Sequence, residues 1–303
     1  MPHPVVADLE AAFDVSFVPA QTAARALPDA DALLVTIDSP LDGSTIASLP
    51  VRIRALATYS VGLDHIDLTA ARAGGLAVFN TPGILTDAVA ETALLLMLGA
   101  ARRLTESAAL LRGGGWQGWS PTQLLGVELS GRTLGVYGMG EIGRAIAQRA
   151  RAFGMSIAYH SRRKLSPDQE SDARYIPDPI RLLEVSDVLV LAAPSTAETR
   201  GFVRAETLSR ARPGLIVVNV ARGDLVVDED LIGALRSGRV AAAGLDVFQN
   251  EPRFDRRYLD LPNAVLLPHI GSSTLEARRR MGGMLIDGLL AWRRGERPTN
   301  QVI

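Results

Sequence analysis

The chain reads as an α/β protein of two domains, each organised around a doubly wound parallel sheet. Three observations carry that expectation. Short apolar strands alternate with helical segments along nearly the whole length, the pattern of parallel sheets joined by crossover helices. At 303 residues the chain is long enough for two separate cores. A glycine fingerprint near the middle lies between a strand and a helix, so a second α/β unit begins there.

In the first part of the chain, residues 15–18, 32–36, 54–58 and 76–80 are the expected strands, with helical patterns between them. From 88 to 104 the apolar pattern lengthens into one helix suited to a core or a subunit interface. Its most apolar stretch, 93–101, is too short to cross a bilayer. Residues 113–121, rich in glycine and tryptophan, form a loop. Six further strands follow at 133–137, 156–159, 188–192, 215–220, 243–247 and 264–267. Helices are expected at 141–153, 179–185 and 229–236, the last capped by Asp228 and stopped at Gly238. A final helix at 274–294 returns to the first domain. The expected domains are therefore 1–88 plus 274–303, and 89–273.

Composition narrows the function. A net charge of −1 draws the chain to neither nucleic acid nor an anionic membrane. The absence of cysteine excludes disulfides, thiolate nucleophiles and thiolate metal sites, and no metal is expected. Met1-Pro2-His3-Pro4 opens no secretory signal. A cytoplasmic protein is the expectation.

The pattern G-x-G-x-x-G occurs twice. The copy from Gly113 to Gly118 has no strand before it and no helix after it. The copy Gly138-Met139-Gly140-Glu141-Ile142-Gly143 follows the strand 133–137 and opens the helix 141–153. Only in that setting do backbone N–H groups and a helix N-terminus meet a pyrophosphate. The next strand end selects between cofactors. A carboxylate about 20 residues after the first glycine usually holds the ribose hydroxyls of NAD. Here the strand runs into His160-Ser161-Arg162-Arg163-Lys164. Missing acid and added cations favour the 2′-phosphate of NADP(H), with NAD(H) possible.

Proton transfer near neutral pH favours histidine, and the chain has four. His3 is terminal. His160 belongs to the ribose end of the cofactor site. His65 lies near a candidate substrate loop and competes for the role. His269 follows the strand 264–267 and Pro268, at a carboxyl end of the second sheet, where ligands of such folds bind. Arg222 sits at another strand end; its fork of donors suits a carboxylate beside a carbonyl. A carboxylate bonded to the histidine would favour its imidazolium form and fix the ring. Glu251 follows the intervening strand 243–247, Asp246 lies near its end, and spacing does not choose between them.

Taken together the chain resembles the D-isomer-specific 2-hydroxyacid dehydrogenase family. The blocks that carry the resemblance are Tyr59-Ser60-Val61-Gly62-Leu63-Asp64, Asn80-Thr81-Pro82-Gly83, the Gly138 loop, Asn219-Val220-Ala221-Arg222-Gly223, Gly244-Leu245-Asp246-Val247-Phe248 through Glu251-Pro252, and Leu267-Pro268-His269-Ile270-Gly271-Ser272. The resemblance implies a flavodoxin-like substrate domain, a Rossmann cofactor domain, an active site in the cleft, and a homodimer with its arm near 100–126. It implies that Arg222 binds the substrate carboxylate and carbonyl, that His269 is the acid/base, and that Glu251 pairs with it. It further implies that backbone N–H groups at Val61 and Gly62 cradle the carboxylate, that Val220 and Ala221 line the cofactor, and that Asp246 holds the nicotinamide carboxamide. Residues 116–126 and the turn at Arg162 look most like the glyoxylate/hydroxypyruvate reductase branch, which prefers NADPH. Phenylpyruvate- or 2-ketogluconate-type keto acids are the alternative substrates. A dinucleotide-sensing corepressor is the alternative class, and it is expected to carry extra tails. Family members usually begin with a strand before the helix that starts here near Val5, so the first sheet is expected to be one strand short.

Overall fold

The computed structural model describes residues 1–18 and 29–303. The chain divides into two units, residues 1–85 with 272–303 and residues 86–271. The first begins with helix α1 (His3–Ala12) and continues β1 (Ala32–Val35), α2 (Gly43–Ala47), β2 (Ala55–Thr58), α3 (Leu68–Ala73) and β3 (Ala77–Phe79). The three strands are parallel in the order β1-β2-β3, with Leu33 opposite Leu56 and Leu56 opposite Val78. Asp42 and Asp67 cap α2 and α3 by accepting from the N–H groups of Thr45 and Ala70, as short helices require at their unpaired N-termini. Leu33, Val35, Ile53, Leu56 and Val78 form the core with Leu41, Ile46 and Ile66.

The strand expected at 15–18 is not one. Those residues pair with no ladder among the described residues, and Phe17 is 63% exposed. Val18 packs against the core of this unit, but the segment joins no ladder among the described residues, and a strand is stabilised by its neighbours rather than by propensity. His3, expected to be part of a loose terminus, instead begins α1.

The second unit starts with α4 (Thr86–Ala101) and α5 (Leu104–Arg112). The sequence pattern predicts one helix over 88–104. The break falls at Arg103, whose φ of 56° is left-handed and whose guanidinium grips Glu106 through two bonds of 2.7 and 2.6 Å. No glycine or proline marks it. A crossing segment causes it: the Val127 N–H donates to the Ala101 carbonyl at 2.9 Å, taking an acceptor that a continuing helix would use. The glycine run after α5 lies in an exposed turn with neither strand nor helix following, as its flanks suggested.

The cofactor-type sheet follows as β4 (Thr133–Tyr137), α6 (Glu141–Ala152), β5 (Ser156–His160), α7 (Pro167–Glu170), β6 (Arg174–Tyr175), α8 (Pro179–Val185), β7 (Val188–Leu191), α9 (Ala205–Arg210), β8 (Leu215–Asn219), α10 (Asp228–Ser237), β9 (Val240–Leu245) and β10 (Ala264–Leu266). Seven parallel strands are ordered β10-β9-β8-β7-β4-β5-β6. The chain thus winds one way from β4 and the other way from β7, which makes the gap between those two the switch point of a doubly wound sheet. β7 and β8 are buried along their whole length, which explains why they read as unbroken apolar runs. The two-residue edge strand β6 is too short to leave a periodic signal. Gly238 ends α10 with a left-handed φ of 74°, as expected. Asp228 is not its cap: Val227 holds that position, and the Asp228 carboxylate accepts from the Tyr258 hydroxyl at 3.0 Å.

The last helix, α11 (Leu275–Arg293), belongs to the first unit. Thr274 caps it through the Ala277 N–H, and it packs against α1 and β2. The terminal segment then covers the β3 edge, where Val302 N–H donates to the Val78 carbonyl at 2.7 Å.

Gly143 lies so close to the loop before it that a methyl group there would sit 2.2 Å from the Gly138 carbonyl oxygen, whereas one on Gly140 would meet nothing within 4 Å. Gly143→Ala is therefore expected to destabilise the protein by about 1–3 kcal/mol. Gly140→Ala is expected to stay within about 0.5 kcal/mol of the parent. Urea unfolding of both variants checks this, and equal midpoints would contradict the packing.

Candidate active site

The switch point brings together the glycine loop. Gly138 leaves β4 with φ of 105° and abuts the segment after β7: a methyl group on it would lie 2.5 Å from the Ala193 nitrogen. Met139 is buried, Gly140 takes the cap position of α6 without any capping side chain, and Glu141 and Ile142 form its first turn. Among the described residues no side chain caps the first N–H groups of α6, which lie next to a glycine with open space over its Cα. That arrangement fits a dinucleotide pyrophosphate.

Three neighbouring strands deliver the candidate acid–base and carboxylate-binding groups. β8, β9 and β10 lie side by side, with Asn219 opposite Leu245 and Leu245 opposite Leu266. Their carboxyl ends release Arg222, then Asp246 and Glu251, then His269. His269 Nδ1 lies 2.6 Å from Glu251 Oε2, and Glu251 Oε1 accepts from the Phe248 N–H at 2.7 Å. Burial pushes the Glu251 carboxyl up. The bonds from His269 and Phe248, with the charges of His269 and Arg222, outweigh it and hold the group below the usual carboxylate range.

Asp246 does not bind the histidine ring. It is 2% exposed, and its two oxygens accept from the N–H groups of Ile270 and Gly271 at 2.7 and 2.8 Å. Its carbonyl accepts from the His269 N–H at 2.8 Å. Asp246 thus holds the turn that gives His269 its left-handed φ of 53°. Burial places this carboxyl above its usual range even though both N–H groups pull the other way. The two acids that spacing left open are separated by what each contacts: Glu251 takes the ring, Asp246 the backbone.

Arg222 is braced from beneath. The buried Asn219 side chain accepts from the Ala221 N–H at 3.0 Å and donates to the Arg222 carbonyl at 2.9 Å. Arg222 Nη1 donates to the Ala221 carbonyl at 2.7 Å, and Val220 and Ala221 are buried. Gly223 allows the close approach of the next loop: a methyl group on it would fall 1.9 Å from the Phe248 carbonyl carbon. Asn219 was legible only as the end of a strand. Its clue is polarity, an amide closing an otherwise apolar run.

Beyond β5, Ser161 donates to the Arg163 carbonyl at 2.6 Å. Arg162 and Arg163 are exposed, and among the described residues neither lies within ion-pair distance of a carboxylate, whereas Lys164 reaches Glu170 at 3.5 Å. His160 is structural: its Nδ1 contacts the Ile176 carbonyl at 3.0 Å and its ring stacks on Tyr137.

In the first unit, the turn after β2 is held through its carbonyls. Those of Ser60 and Val61 both face the segment after β3, accepting from the Thr81 N–H at 3.0 Å and from Asn80 Nδ2 at 2.9 Å. A trans peptide points its N–H opposite to its C=O, so the N–H groups of Val61 and Gly62 both face away from that segment. Among the described residues neither donates to a protein acceptor. Paired backbone donors of this kind suit an anion.

A doubly wound sheet, a glycine loop at its switch point and an imidazole–carboxylate pair beside an arginine define a dinucleotide-dependent oxidoreductase. Comparison with known proteins agrees. Residues 94–271 match the D-isomer specific 2-hydroxyacid dehydrogenase, NAD binding domain. The chain is 45% identical over 264 residues to a glycerate dehydrogenase of Hyphomicrobium methylovorum, covering 86% of this chain and 82% of that one. It is 42% identical over 279 residues to a glyoxylate reductase of Thermococcus litoralis, covering 90% and 84%. The fold superimposes with a TM-score of 0.89 on the NADPH-dependent glyoxylate/hydroxypyruvate reductase of Sinorhizobium meliloti solved with NADP and malonate, at 35% identity over 98% of this chain and 92% of that one. The chain belongs to the D-isomer-specific 2-hydroxyacid dehydrogenase family, and it is an oxidoreductase using a nicotinamide dinucleotide. Among the described residues, no helix is long and apolar enough to cross a membrane.

Because the folded pKa of Glu251 lies below its unfolded value of about 4.3, the stability it contributes is present above that value. It is lost as pH falls through the folded pKa. Glu251→Gln should therefore flatten the acid limb of the stability curve as pH falls below about 4.3. Urea unfolding across that range tests this, and an unchanged limb would remove Glu251 as a native-state charge partner.

Proposed function

We propose that this protein is an NADPH-preferring reductase of small 2-keto acids to D-2-hydroxy acids, acting on glyoxylate and hydroxypyruvate. The His269–Glu251 pair at 2.6 Å, one strand away from Arg222, carries this reading. The relatives named as glyoxylate reductases and glycerate dehydrogenase support the substrate class.

The residues of the glycine loop, Gly138 to Gly143, would hold the pyrophosphate, with Val220, Ala221 and Asp246 toward the nicotinamide. A dinucleotide bound there supplies hydride to the carbonyl carbon. The rest belongs to the protein. Arg222 binds the carboxylate and draws charge onto the carbonyl oxygen, and the N–H groups of Val61 and Gly62 take the carboxylate. Glu251, ionised and able only to accept, keeps a proton on His269 Nδ1. The imidazolium therefore gives its other proton, from Nε2, to the carbonyl oxygen. The ring is left as the Nδ1–H tautomer that Glu251 already holds, so no reorientation is needed between turnovers.

Ser161, Arg162 and Arg163 would take the 2′-phosphate. Two exposed guanidiniums, neither within ion-pair distance of a carboxylate among the described residues, stand where NAD enzymes place an acid. A homodimer through the arm suits the exposed Leu111, Trp116, Trp119 and Leu125 and a groove of about 600 Å³ between residues 99–106 and 260–265.

Glyoxylate, hydroxypyruvate, phenylpyruvate and 2-ketogluconate, each with NADPH and followed by loss of nicotinamide absorbance, rank the substrates. The first two are expected to lead. His269→Ala should lower turnover by about 10²–10⁴, and near-normal turnover would reject its role. Arg162→Ala combined with Arg163→Ala should raise KM for NADPH far more than for NADH. Equal changes for both cofactors would reject the phosphate assignment.

A further inference from the structure

His65, the rival of His269 in the sequence, ends a chain of hydrogen bonds leading into the Val61–Gly62 turn. Its Nε2 lies 2.8 Å from Thr58 Oγ1, which lies 2.8 Å from Ser60 Oγ, which donates to the Gly62 carbonyl at 2.7 Å. The direction of every bond follows from the last one. A carbonyl can only accept, so Ser60 spends its single hydroxyl proton there. Thr58 must then donate to Ser60, which leaves Thr58 only an acceptor toward His65. His65 Nε2 therefore carries a proton.

We propose that His65, donating from Nε2 through Thr58 and Ser60, is a positioning residue for the carboxylate-binding turn at Val61–Gly62. The proposal rests on the reading that those N–H groups hold the substrate carboxylate. Thr58 is fully buried and Ser60 is 7% exposed, so water does not replace the donor that His65 supplies. Each donor in such a chain polarises the next, which strengthens the bond fixing the Gly62 carbonyl. The histidine is itself anchored: its carbonyl accepts from the Leu41 N–H at 2.7 Å, and the Ile66 N–H beside it donates to Leu63 at 2.9 Å. Three tied carbonyls, those of Ser60, Val61 and Gly62, give a turn already shaped before an anion arrives, so less ordering is lost on binding.

Two measurements on the full chain test this. The four histidines can be labelled with nitrogen-15 and their tautomers read from long-range proton–nitrogen correlations, with His65 assigned through His65→Gln. Wild-type His65 is expected to be protonated at Nε2, and Thr58→Val is expected to remove that preference. A neutral ring protonated at Nδ1 would overturn the relay. Kinetically, His65→Phe should raise KM for glyoxylate about three- to tenfold, with kcat and KM for NADPH near wild type. His65→Gln, whose amide can donate, should restore most of the loss. An unchanged glyoxylate KM in His65→Phe, or a parallel loss in kcat and cofactor affinity, would overturn the positioning role. A wild-type protein that reduces no 2-keto acid would overturn the functional reading and the substrate role with it, while the tautomer separates that failure from a failure of the relay.

Discussion

The candidate active site depends on the alignment of three parallel strand ends. β8, β9 and β10 are hydrogen-bonded neighbours, so the residues that follow them are set down side by side. Arg222, Glu251 and His269 are 29 and 18 residues apart in sequence, yet sheet register makes them neighbours. The Glu251 carboxylate then completes the site by bonding at once to the histidine ring and to the Phe248 N–H. A carboxylate held from both sides cannot swing away when the ring changes charge.

Around that alignment, buried polar groups work on backbone rather than on ligand. Asn219 braces the turn carrying Arg222, Asp246 braces the turn carrying His269, and Asn80 with Ser60 braces the turn carrying Val61 and Gly62. Each is a short side chain able to satisfy N–H or C=O groups that leave a strand without partners. The effect is preorganisation: the groups proposed to meet the substrate are aimed by bonds made before it binds.

Much of the site was legible in the chain. The Gly138 loop declared itself through its strand and helix flanks, which excluded the Gly113 copy, and Arg222 and His269 through their place after apolar strands. The turn at Arg162 is read by what it lacks as much as by what it contains. Less legible were features with no periodic or compositional mark. The break at Arg103 carries no glycine or proline to mark it because a distant segment imposes it. Residues 15–18 read as a buried strand but join no ladder among the described residues. The edge strand β6 has only two residues.

By itself, the order of residue types determined the α/β class, the position of the dinucleotide loop and the identity of the groups capable of acid–base and carboxylate chemistry, because those follow from local patterning and from the chemistry of single side chains. Which acid serves His269 was beyond its reach. Asp246 and Glu251 follow the same strand, and both are carboxylates within reach of a loop. Only the tertiary structure separated them, because the burial of Asp246 under the 269–271 turn and the exit path of the chain through Phe248 to Glu251 depend on contacts between strands rather than along one.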